Sequence, residues 1–120
     1  MSPDDEAYLV DIALAARRLK RLVLGIDKLA FDASEVHQLA FMKLLQDIGE
    51  AASRLSSDAR QAVPDVPWRQ VVGLRHHLVH DYGGIDVELI WATIQTDIDT
   101  LLAAIEPFLP PESRYPPTSR

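Results

Sequence analysis

Phe41-Met42-Lys43-Leu44-Leu45-Gln46-Asp47-Ile48-Gly49-Glu50-Ala51-Ala52-Ser53-Arg54-Leu55 decides the fold class. Its apolar residues Phe41, Leu44, Leu45, Ile48, Ala51, Ala52 and Leu55 recur at spacings of three and four. An α-helix turns once every ~3.6 residues, so this spacing gathers them into one stripe. Either Asp32 or Ser34 can cap such a helix, because both side chains accept from a free N–H of the first turn.

The same period recurs on both sides. Leu9, Ile12, Ala13, Ala16, Leu19, Val23 and Ile26 form a first stripe. Pro3 and the run Asp4-Asp5-Glu6 start its helix, since negative charge suits the N-terminal dipole. Ser57 to Val63 hold a short helical turn before the break Pro64-Asp65-Val66-Pro67. A third helix is expected from Trp68 to just before Gly83-Gly84. Asp86 caps a fourth, with Ile90, Trp91, Ile94, Ile98, Leu101, Leu102 and Ile105 on one side, and Pro107 and Pro110-Pro111 stop it. There is no β-alternation and no internal repeat. Short links between amphipathic helices imply an all-α fold, an antiparallel four-helix bundle over residues 1–109. Residues 110–120, polar and rich in proline, are expected to be a flexible tail.

Composition sets the limits. A chain of 120 residues with 48% hydrophobic and 25% charged residues suits one domain with its own core. With no cysteine, a disulfide framework, a thiolate metal site and a cysteine nucleophile are all excluded. No stretch is long and apolar enough for a membrane span, and the acidic start is not a signal peptide. A cytoplasmic location is the expectation. The net charge of −6 disfavours a protein that coats nucleic acid by bulk electrostatics. An enzyme that meets a few phosphates with local cations remains open.

Those cations gather in Trp68-Arg69-Gln70-Val71-Val72-Gly73-Leu74-Arg75-His76-His77-Leu78-Val79-His80-Asp81-Tyr82-Gly83-Gly84, where Val66 to His80 contains no acid. On a continuous helix, Trp68, Val71, Val72 and Val79 share an apolar face. Arg69, His76 and His80 fall on the opposite flank, with His77 beside them. Arg75 lands on the apolar side, where an unpaired guanidinium costs several kcal/mol. It therefore needs an anionic partner, a wet cleft or a subunit boundary. Arg75 and His80 stand about 140° apart on an ideal helix, so they meet only through unwinding near His80, arginine reach, or two pooled copies.

An arginine and a histidine suit RNA cleavage, in which a 2′-hydroxyl attacks the adjacent phosphate. Histidine moves protons near neutral pH, and arginine grips phosphate oxygens through paired hydrogen bonds. The chemistry requires no cofactor and no metal. His76 and His80 have the i,i+4 spacing of a zinc pair, but the glutamate of a metalloprotease motif and a third ligand are missing. Taken singly, His76 and His77 read as a solvated face, Trp68 as a core anchor, and Arg17, Arg18, Lys20 and Arg21 as a solvated helix surface.

Arg75-His76-His77-Leu78-Val79-His80-Asp81-Tyr82 resembles the Arg-x4-His-x-Tyr motif of HepT-like HEPN-domain toxins. Ile48-Gly49-Glu50-Ala51-Ala52, Val66-Pro67-Trp68-Arg69 and Gly83-Gly84-Ile85-Asp86 with Trp91 are similar to the same family. The resemblance spans most of residues 5 to 107. It implies a symmetric homodimer whose two motif copies face one cleft, with Arg75 and His80 catalytic. His76 and Arg69 are candidate phosphate contacts. It also implies a toxin–antitoxin pair in which a minimal nucleotidyltransferase neutralises the toxin by adenylylating Tyr82. Two departures stand out: His76 where the family often has asparagine, and a short segment between Asp32 and Phe41. The competing expectation is a non-catalytic helical module that binds a nucleotidyltransferase or a nucleotide.

Overall fold

Helix α1 (Pro3–Val23) begins where the Ser2 hydroxyl accepts from the Asp5 N–H at 3.1 Å, with Pro3 and three acids in its first turn. The computed structural model describes residues 1–115. The stripe Leu9, Ile12, Ala13, Ala16 and Leu19 is wholly buried, and Ile26 packs against the core beyond the helix end. A short helix not anticipated from periodicity follows, α2 (Lys28–Asp32), capped by Asp27. It buries Phe31 against Phe41, ring centroids 5.4 Å apart, and against Trp91 at 5.0 Å.

Helix α3 (Glu35–Arg54) is capped by Ser34, while Asp32 binds Lys28 at 2.7 Å instead. Helix α4 (Ser57–Ala62) is capped by Ser56. Trp68 opens α5 (Trp68–Gly73) as a core anchor, its indole N–H donating to the Val63 and Arg60 carbonyls at 3.0 and 3.2 Å. Asp86 caps α6 (Val87–Ala92). That helix widens through a π-turn at Thr93–Asp97 into α7 (Ile98–Ile105). The Thr93 and Thr96 hydroxyls donate to the Leu89 and Ala92 carbonyls, both at 2.7 Å, competing with the regular ladder where it loosens.

The helices run antiparallel. Asp5, at the start of α1, accepts from the Ser56 N–H at 2.9 Å and hydroxyl at 2.7 Å just past the end of α3. Arg17 pairs with Glu106 and Lys20 with Asp99, so α7 descends as α1 rises. Buried Asp5 is held below the ordinary carboxylate range, first by the Ser56 N–H; burial opposes this, and the Ser56 and Ser2 hydroxyls add to it. The bundle is thus α1, α3, α5 and the α6–α7 rod, with α2 and α4 as short additions. Among the described residues no helix is long and apolar enough to cross a membrane. Glu112–Arg114 form a 3-10 turn, and Tyr115 accepts from Arg17 at 3.3 Å. Residues 116–120 of the expected tail lie outside the described residues.

The third helix is much shorter than its sequence suggests. It ends at Gly73, not before Gly83. The next N–H groups reach back three residues, Leu74 to Val71, Arg75 to Val72 and His76 to Gly73. The His77 N–H still reaches the Gly73 carbonyl at 3.0 Å, but beyond it the backbone groups that a helix would use are taken by a small hairpin. The Asp86 N–H donates to the Leu78 carbonyl at 2.8 Å and the His80 N–H to the Gly84 carbonyl at 2.7 Å. Val79 and Ile85 pair as an antiparallel bridge. The helical-wheel grouping of Arg69, His76 and His80 therefore fails, because only Arg69 lies on α5.

Candidate active site

Leu74 to Asp86 forms a loop laid over the end of α5, with Leu78 as its only fully buried side chain. Gly49 of α3 sets where it begins. A Cβ there would stand 2.9 Å from the Arg75 nitrogen and 3.0 Å from the Val71 carbonyl, so only glycine admits this close approach. The contact roots Arg75 half-buried against α3. Its guanidinium Nη1 lies 3.6 Å from Glu50, and among the described residues its buried Nε has no hydrogen-bond partner. Glu50 in turn lies 3.1 Å from Arg54. Of the three settings expected for Arg75, an anionic partner is thus present, held in a long ion pair that leaves much of the guanidinium's donor capacity unused.

His80 sits on the hairpin. The Gly83 N–H closes the turn by donating to the His80 carbonyl at 2.8 Å, and Gly83 has φ of 92°, a conformation that favours glycine. The imidazole Nε2 faces a carboxylate oxygen of Asp86 at 3.8 Å. Its ring stacks on Tyr82, centroids 5.2 Å apart and planes 22° from parallel. Tyr82 itself is 84% exposed, so its hydroxyl is open to solvent.

The loop therefore joins His80 with Tyr82 and Asp86. It does not join Arg75 to His80 directly: among the described residues no hydrogen bond or ion pair connects them. Neither is Arg69 or His76 tied to either. His76 is exposed, and Arg69 lines an open groove of about 610 Å³ with His77, Leu74, Leu89, Thr93 and Asp97. Sequence reasoning missed Glu50 and the second use of Asp86. The first carried no signal as a partner, since 25 residues separate it from Arg75; the second was visible only as a helix cap.

What this arrangement can do chemically is clear in outline. A planar cation with free donors and an imidazole backed by a carboxylate can hold an anionic phosphate and move a proton. A family model described as Ribonuclease HepT-like matches residues 12–108. A Methanocaldococcus jannaschii protein named "Putative RNase" is 34% identical over 103 residues, covering 86% of this chain and 94% of its own. A Thermococcus cleftensis protein named "Probable ribonuclease HepT" is 32% identical over 106 residues, covering 88% and 96%. A "Putative RNase" of Caldanaerobacter subterraneus is 33% identical over 105 residues, covering 88% and 94%. No solved structure gives a significant match.

Proposed function

The chain belongs to the HepT-like ribonuclease family, and we propose that it is an endoribonuclease whose reaction is carried by Arg75 and His80. The observation that carries this reading is the state of Arg75. It is rooted by backbone contact with Gly49, yet only loosely matched by Glu50 and unsatisfied at Nε. Buried donors without partners are rare and call for an explanation. Among the described residues Arg60 Nε is the other one, but the Arg60 guanidinium donates to the Ala52 and Ser53 carbonyls at 3.1 and 3.3 Å, while that of Arg75 makes no hydrogen bond. A bridging phosphate of RNA supplies the oxygens that Glu50 leaves wanting.

In this reading the substrate 2′-oxygen bonds to phosphorus and the bond from phosphorus to the 5′-oxygen breaks. The 2′-hydroxyl loses a proton and the departing 5′-oxygen gains one. His80 handles one of these transfers, and Arg75 stabilises the charge that builds on the phosphate oxygens. Two copies of the loop facing one cleft would set Arg75 and His80 of both chains around one phosphate. Arg69 and exposed His76 extend the cationic surface toward neighbouring phosphates.

The proposed setting is a toxin–antitoxin pair. Tyr82 is the point of control: its exposed hydroxyl can attack the α-phosphate of ATP on a nucleotidyltransferase partner, releasing pyrophosphate. The adenylate would then sit over the stacked His80 ring, adding negative charge and bulk where RNA must bind.

Arg75→Lys tests the core of this. Lysine keeps the charge but loses the fork, so cleavage of bulk RNA in EDTA should fall sharply while the fold survives. Full activity in Arg75→Lys would remove Arg75 from the mechanism. A folded, dimeric parent with no cleavage would favour the non-catalytic partner module. Mass spectrometry after co-expression with the nucleotidyltransferase should find one adenylate on the parent and none on Tyr82→Phe. Adenylate on Tyr82→Phe would reject Tyr82 as the modified residue.

A further inference from the structure

Asp86 does two things with its two oxygens. Oδ1 accepts from the Leu89 N–H at 3.0 Å and caps α6. Oδ2 faces Nε2 of His80 at 3.8 Å. A cap needs only the first contact, and asparagine serves a helix start as well as aspartate. The second contact is the one that uses the charge.

The backbone makes this meeting a fixed feature of the fold. The Asp86 N–H on the Leu78 carbonyl, the Val79–Ile85 bridge and the His80 N–H on the Gly84 carbonyl tie the two residues to opposite arms of one hairpin. Tyr82 stacks on the imidazole, so the ring is bounded by an aromatic plane and a carboxylate. Asp81 is exposed, and among the described residues no ion pair links it to His80.

We propose that Asp86 is a positioning residue for His80: it holds the imidazole by Nε2 and leaves Nδ1 as the nitrogen offered to substrate. The catalytic half of this rests on the ribonuclease reading above. A carboxylate at Nε2 favours the tautomer with the proton there, which makes Nδ1 the free base. At 3.8 Å the pair lies just beyond hydrogen-bond length, and a small rotation of either side chain closes it without substrate.

Asp86→Asn separates the two roles. The asparagine keeps the cap through its carbonyl oxygen and turns an amide N–H toward Nε2, so the melting midpoint should stay at the parent value. In EDTA, kcat for RNA cleavage should fall about tenfold or more with KM unchanged. Asp86→Ala should lose thermal stability as well, because the cap goes too. A second readout does not depend on cleavage. Long-range 1H–15N spectra of the His80 ring, taken at a pH where imidazoles are neutral, report which nitrogen carries the proton. The parent should hold it on Nε2, and Asp86→Asn should shift it toward Nδ1. An unchanged ring spectrum overturns the proposal whatever the activity. So does an Asp86→Asn enzyme with the parent's kcat. If the parent cleaves no RNA, the ribonuclease reading fails, and the ring spectrum alone still decides whether Asp86 positions His80.

Discussion

Along the seam between α1 and α3, Leu9, Ile12, Ala16, Leu19, Phe41, Leu45, Ile48 and Ala52 are all withdrawn from water. Between Leu74 and Asp86, Leu78 alone is fully buried, and the remaining side chains are half-covered or exposed. Polar groups follow the same division. At the seam's end Asp5 accepts two bonds from Ser56 and one N–H is capped by Ser2. In the loop, Arg75 and His80 face their carboxylates at 3.6 and 3.8 Å, and the buried Arg75 Nε has no hydrogen-bond partner among the described residues. A satisfied region has little left to offer a ligand. The loop is held in place by the seam and keeps its binding capacity unspent.

If stability and chemistry are divided in this way, substitutions should sort by region. Leu45→Ala, deep in the seam, should cost about 2–5 kcal/mol in chemical unfolding, with kcat preserved in whatever fraction remains folded. Loss of kcat in that folded fraction would break the division. Gly49→Ala lies on the border and should do both kinds of damage. Its methyl meets the Arg75 and Val71 backbones, an overpacking cost of about 1–3 kcal/mol, offset by up to ~1 kcal/mol of better helix propensity. Cleavage should also weaken, because Arg75 is displaced. A stable variant with parental activity would show that the close approach does not set Arg75.

Asp5→Asn should cost about 2 kcal/mol at neutral pH, from bonds made to a charged carboxylate. Its pH dependence has a definite sign. The folded pKa lies below the ordinary value, so the contribution is complete above about pH 4–5 and fades as pH falls through the folded value. Urea melts of parent and variant should therefore converge in acid; a gap that persists there would mean that the carboxylate's charge is not what counts. The smallest effect belongs to Tyr82→Phe. An exposed hydroxyl with no hydrogen bond among the described residues should change stability by less than about 0.5 kcal/mol, and thermal melts should overlay. A larger drop would give Tyr82 a structural role.

Much of the bundle was legible because it depends on local chemistry. The stripes of α1 and α3, the Trp68 anchor and the caps at Ser34 and Asp86 each follow from a few neighbouring residues. The end of α5 was not legible, since Trp68 to His80 contains no proline and keeps a helical composition. What stops the helix is hairpin bonding from residues up to Asp86. The π-turn at Thr93–Asp97 and the short helix at Lys28–Asp32 likewise depend on packing. In the site, Arg75 could be singled out as needing an anion, a wet cleft or a subunit boundary, but from a continuous helix that ends at Gly73, before Arg75, and Glu50 as a partner could not be read at all. The bond between Asp5 and Ser56 spans 51 residues and left no trace in spacing.

The central claim is that the loop, and not the seam, carries the chemistry. Purified parent and His80→Ala should be incubated with bulk cellular RNA in EDTA, after both are shown to melt alike. Cleavage by the parent and a loss of about 10²- to 10⁴-fold in the variant are expected. Equal cleavage by both would contradict that claim.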